Sequence, residues 1–261
     1  SAVNLIMIYL AFEFLSITSY ILTGYLRDDP RSTEAGLKYL LYGAGLSAVM
    51  LFGMSWVFGL TGSTDLAEIG TSLLEMERSL RPVAFPALIM IAVGFAFKVG
   101  AAPFHQWAPD AYEGAPTPVT AFLSVGPKIA GFALIVRVMM TMLPMELADL
   151  DLDWQALLMA LSAVTMTVGN LVAIWQQNVK RLLAYSSIAQ AGYILIGVVA
   201  ATPRGVTGVL LYLAAYAVTN LGAFAAVIAF SNQTGSDEIE DYAGLSQRAP
   251  GVALILLICL L

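Results

Sequence analysis

Long apolar stretches separated by short polar breaks set the pattern of the chain. Windows of about twenty apolar residues, enough to cross roughly 30 Å of hydrocarbon, fall at 2–26, 36–60, 83–102, 117–143, 154–175, 182–201 and 206–230, and an eighth begins at Val252. Lipid offers no partner to backbone N–H and C=O groups, so continuous apolar runs of this length predict helices and not open strands. Most breaks are short and carry turn residues: Asp28-Asp29-Pro30, Leu143-Pro144 and Thr202-Pro203-Arg204-Gly205. Short connections predict antiparallel neighbours. Two breaks are longer, 61–82 and 231–250, and in the first Leu66, Ile69, Leu73 and Leu74 are spaced for a surface-lying amphipathic helix. The expected fold is an all-α, polytopic transmembrane bundle.

Composition agrees with that pattern. Of 261 residues, 59% are hydrophobic and 11% charged, against about 25% charged in soluble domains, and the mean hydropathy is +0.81. The net charge of −6 comes mostly from acids in loops, and no basic tract points to nucleic acid. One cysteine, Cys259, and one histidine, His105, exclude a disulfide or a di-histidine metal or haem site within the chain. No Gly-rich phosphate loop and no Ser-His-Asp set is present, so no cofactor is expected in this chain. There is no initiator Met or leader, and the last apolar run is half the length of a span; an internal fragment of a longer protein is expected. Loop cations give an orientation. Arg27, Arg31, Lys180, Arg181 and Arg248 gather on one side, and Arg78, Arg81 and Arg204, with Arg137 at the border, on the other. The positive-inside rule then puts the acidic loop 237–241 in the cytoplasm and 146–153 outside.

Against this apolar background four ionisable groups, Glu13, Lys38, Lys98 and Lys128, fall inside spans. Each costs roughly 2.5–3.5 kcal/mol at mid-bilayer, so such groups mark ion or proton pathways. The opposite signs and comparable depth of Glu13 and Lys38 predict a buried pair. Pro103 and Pro109, with Gly100 before them, predict that the third span stops and restarts near His105, one turn after Lys98. Lys128 follows Gly126-Pro127, whose freed carbonyls are expected to share its protons. Two unit charges about 7 Å apart at an effective dielectric near 20 interact by roughly 2.4 kcal/mol, enough for one protonation to control the next. Glu13, Lys38, Lys98 and Lys128 are therefore the candidate proton-transfer groups, with His105 as an additional relay. Blander roles stand beside these: Lys38 snorkelling to an interface, His105 bracketing freed backbone groups, Asp110 and Glu113 capping the restarted helix, Lys180-Arg181 anchoring a cytoplasmic end, and Trp107, Trp154 and Trp175 as interfacial anchors.

The stretch FHQWAPDAYEGAPTPV at 104–119, with Lys98 before it and Lys128 after it, resembles the proton-translocating membrane subunits shared by respiratory complex I and the multisubunit cation/proton antiporters. The segment NVKRLLAYSSIAQAGYILIGV at 178–198 is similar to that family too. Within it, the loop and the Lys128 spacing look most like the N-type branch of NADH-quinone oxidoreductase. The resemblance implies inverted five-helix repeats, each with one broken helix, and places the chain from the family's fifth helix to the start of its twelfth. Residues 1–143 would be the first-repeat part of a single transmembrane domain and 154–261 an incomplete second repeat. It further implies a Glu for the ion pair at Glu13, the broken-helix Lys at Lys98, the central Lys at Lys128 and a neighbouring Lys at Lys38. Redox chemistry would lie elsewhere, with NADH, FMN, iron-sulfur clusters and quinone in partner subunits. The other membrane subunits, the lipid bilayer and protons are the implied partners, in a bacterial inner membrane or an energy-transducing organelle membrane. A sodium/proton antiporter subunit is the alternative.

Overall fold

The computed structural model describes residues 2–77, 79–143 and 154–261; the Pro144 turn, the 146–153 loop and Arg78 lie outside these residues. Eleven α-helices are present among them: α1 (Leu5–Thr23), α2 (Pro30–Thr61), α3 (Leu66–Glu75), α4 (Arg81–Val99), α5 (Trp107–Gly114), α6 (Thr117–Met142), α7 (Trp154–Ala173), α8 (Val179–Val199), α9 (Pro203–Thr234), α10 (Leu245–Arg248) and α11 (Pro250–Leu260). Seven of them, α1, α2, α4 and α6–α9, are long and apolar enough to span a bilayer. These match the seven full apolar windows. The helices α2 and α9 start six and three residues before their windows, because Pro30 and Pro203 occupy the first helical turn and Asp29 and Thr202 cap it with their side chains.

The spans alternate in direction. The start of α1 meets the end of α2 where Leu5 N donates to Thr64 O (2.7 Å), Arg137 near the end of α6 reaches Ala2 O (3.0 Å), and Gln155 on α7 reaches Val199 O at the end of α8 (2.9 Å). The amphipathic α3 forms as its spacing predicts, with Leu66, Ile69 and Leu73 fully buried. The second long break folds into a 3-10 turn (Ile239–Tyr242) and α10, which its polar sequence did not suggest. In the interior, α2 packs along α1, α4 and α5, α6 packs on α4 and α9, and α5 wedges against α8.

Two turns at opposite ends share one design. Asn4 caps α1 and forms an isolated bridge with Asp65; Asn178 caps α8 and bridges Glu238 in the same way. The helix before each bridge has 32 residues and ends in Thr-Gly-Ser, with Thr61 and Thr234 accepting from Ser63 N and Ser236 N, and Ser63 and Ser236 donating to Glu68 and Asp241. Since α1 and α8 run in opposite directions, the pattern is inverted across the bundle.

Candidate functional site

The third span breaks where the prolines predict. Helix α4 ends at Val99, Gly100 takes the left-handed conformation (φ 74°) that a side chain disfavours, and α5 restarts at Trp107. The backbone groups freed by the break are met by protein: Trp107 Nε1 donates to Phe97 O (3.0 Å) and Ala102 N donates to Thr165 Oγ1 (3.0 Å). Trp107 is consequently a core residue, stacked on Tyr39 with ring centres 4.1 Å apart, and not an interfacial anchor. Trp154 is also buried, and only Trp175 of the three is exposed.

Lys98 and Lys128 are each 1% exposed, on the facing helices α4 and α6. Lys98 Nζ donates to Ser16 Oγ on α1 (2.8 Å) and stands 5.1 Å from the centre of the Phe12 ring. Gly131, one turn past Lys128, lets α6 lie against the Lys98 stem: a Cβ there would come within 3.4 Å of Lys98 Cγ and 3.0 Å of Val99 Cγ1. Lys128 donates to both the carbonyl and the hydroxyl of Ser187 on α8, and its ammonium lies beside Gly100 at the break. The sequence led to the carbonyls freed by Pro127 as its partners. Lys128 instead reaches across to the next helix. Tyr112, fully buried on α5, places its hydroxyl 3.1 Å from the same Ser187 Oγ. A groove of about 710 Å³ between α1, α6 and α9 has Lys98 in its wall and is lined by Phe12, Leu15, Arg137, Val209 and Leu213 among others.

The remaining charges are arranged differently from expectation. Glu13 and Lys38 do not pair. Glu13 accepts from Ser47 Oγ, which also lies 3.2 Å from the Tyr9 hydroxyl, whereas Lys38 is bound to Glu34 (2.8 Å) and Asp110 (2.9 Å) with its side chain 43% exposed. The reason is register: Lys38 and Ser47 are nine residues apart on α2, about 13 Å along its axis. Glu13 does not contact Lys98 in an ion pair either; Ser16, one turn further along α1, receives the ammonium. His105 lies in the break between α4 and α5. It is half-buried against Tyr185, with ring centres 6.2 Å apart, its Nδ1 makes no hydrogen bond, and burial pushes its imidazole below the ordinary value.

Asp110 and Glu113 do not cap α5, whose start has no side-chain cap; they bind cations from other helices. Arg181 Nη1 on α8 contacts Asp110 Oδ1 and Glu113 Oε2, both at 2.8 Å, so Asp110 is clamped between Lys38 and Arg181. Burial raises the Asp110 carboxyl, but the two cations outweigh it and hold the group below its ordinary value. Lys180 is 5% exposed and binds Ala115 O (3.2 Å) and Asp237 (3.4 Å), so the Lys180-Arg181 pair ties α8 to α5 instead of anchoring freely at a surface. Ser16, Ser187 and Tyr112 were missed in the sequence, although Ser186, Ser187 and Gln190 already interrupt the apolar run at 182–201. Among the described residues no group of three or more His, Cys, Asp or Glu could hold a metal ion.

Fold and site together define a multi-pass membrane protein with two lysines sealed in its interior at a broken helix. The chain belongs to the NADH:quinone oxidoreductase/Mrp antiporter transmembrane family, whose model matches residues 2–261. It is 50% identical over 258 residues to NAD(P)H-quinone oxidoreductase subunit 2 of Prochlorococcus marinus strain NATL2A, covering 99% of this chain and 48% of that protein. It is 49% identical over 263 residues to NADH-quinone oxidoreductase subunit N 2 of Chloroherpeton thalassium, covering 100% and 51%. The chain thus spans about half the length of the curated relatives it matches. Among solved structures, it resembles a chain of respiratory complex I from Thermus thermophilus (TM-score 0.76, 34% identity, 99% of this chain and 54% of that one). A chain of an archaeal membrane-bound sulfane sulfur reductase is also similar (TM-score 0.88, 28% identity, 99% and 52%). A chain of the Mrp complex from Dietzia shares the fold at 24% identity (TM-score 0.84, 98% and 47%).

Proposed function

We propose that this chain is the central part of a proton-translocating membrane subunit of an NADH-quinone oxidoreductase, in which protons pass by way of buried lysines while electrons reach quinone in other subunits. The observation that supports this most is the placement of Lys98 and Lys128, both sealed from solvent, on facing helices at a proline-broken span. In this reading protons enter toward Lys98 from the cytoplasmic side, Glu13 tunes Lys98 through space, and Lys128 takes the charge onward. The two matched, inverted turns support residues 1–143 as part of one repeat and 154–261 as part of the second. Relatives near 50% identity are named as quinone oxidoreductase subunits, which favours a redox-driven machine over an antiporter. The partners are other membrane subunits of the complex, with NADH, FMN, iron-sulfur clusters and quinone bound in partner subunits, in a bacterial cell membrane or an energy-transducing organelle membrane. In the intact complex, Lys128→Met should abolish or sharply reduce proton pumping while assembly persists. An unchanged proton-to-electron ratio would overturn the assignment.

A further inference from the structure

We infer that Ser187 is the positioning residue for Lys128, and that Tyr112 links this contact to the restarted half of the broken helix; the inference rests on the proton-transfer reading of Lys128. Three independent observations meet at Ser187. First, it receives the Lys128 ammonium through two oxygens, main chain and side chain, and among the described residues no carboxylate is paired with that lysine. A buried ammonium without such acceptors is strongly disfavoured, so the pair of oxygens fixes where Nζ sits. Second, the Ser187 hydroxyl is itself held by the Tyr112 hydroxyl at 3.1 Å. Tyr112 lies on α5 two residues after Asp110, which Lys38 and Arg181 clamp, so any shift of α5 is felt at Ser187.

The third observation is register. Counting from the matched cap residues, Ser187 is nine residues after Asn178 as Glu13 is nine residues after Asn4. The inverted pattern therefore puts a neutral hydroxyl beside one lysine at the position where the other half has an acid on α1, one turn before the Ser16 that binds Lys98. Besides Ser187 itself on α8, two hydroxyls face this site: Tyr112 on α5, 3.1 Å from Ser187 Oγ, and Tyr216 on α9, which donates to Ser124 O (3.0 Å). Among these, only Ser187 contacts Nζ directly through a side chain.

The test uses the assembled complex in membrane vesicles, with pumping measured at matched electron-transfer rate and assembly followed by subunit content. Ser187→Ala should lose most of the pumping that Lys128→Met loses, and Ser187→Thr, which keeps the hydroxyl, should restore it. Tyr112→Phe should give a smaller loss in the same direction. The double variant S187A with K128M should be no worse than K128M alone, because both act on one step. Normal pumping in S187A beside a defective K128M would overturn the role of Ser187 and leave the functional assignment standing. Equal defects in S187A and S187T, both assembled, would show that side-chain volume matters and not the hydroxyl, and would overturn it too. Normal pumping in K128M would remove both.

Discussion

Asp110 shows how much a single side chain decides. It sits on the short helix after the break, and two cations from two different spans converge on it. Because its folded-state acidity is stronger than in an unfolded chain, the clamp contributes fully at every pH above the ordinary carboxylate value of about 3.9, and its contribution is lost as pH falls through the lower folded value. Asp110→Asn should therefore lower thermal stability of the purified protein by a constant amount between pH 8 and 5. The gap to wild type should close below about pH 4. Nothing in the sequence pointed to this clamp, because the three partners are 72 and 71 residues apart along the chain. What the sequence did show was that Lys98 and Lys128 lie beside helix breakers, whereas Lys38, nearer a polar loop, finds its partners in Glu34 on α2 and Asp110 on α5 and not in the buried pair also expected of it.

At the scale of elements, hydropathy made the spans legible and prolines made the break legible, since both are local properties of the chain. Side-chain partners were not legible, since they depend on which helix faces face one another. The expected Glu13–Lys38 pair failed for that reason: two charges at similar depth still need a shared face. The break itself depends on Gly100. An alanine there would be forced into the left-handed region at a cost of about 1–2 kcal/mol, with little steric penalty because the nearest heavy atom to a new Cβ is 3.8 Å away. Gly100→Ala should lower the unfolding midpoint accordingly in detergent, while helix content by circular dichroism stays unchanged.

For the whole molecule, the two capped turns at opposite ends make a quantitative statement about its construction. Asn4 and Asn178 accept from the same pair of backbone amides, two and three residues ahead. Asn4→Ala and Asn178→Ala should each cost about 1 kcal/mol, the usual value of an N-cap, and the two losses should add because the caps lie at opposite faces of the bundle. Chemical denaturation of each single variant and of the double variant checks this. Markedly unequal losses would show that the two turns differ in what they hold, despite their common hydrogen bonds.

The acceptors chosen for the two sealed ammonium groups have a further consequence. Serine oxygens bind a cation without cancelling it, so each proton gained or lost leaves a full unit of field in a medium that screens weakly. A salt-bridged lysine would hide most of that change from its surroundings. Under the proposed proton-transfer role, the interior would act as a small capacitor, whose charge bears on neighbouring helices without any atom having to travel between them.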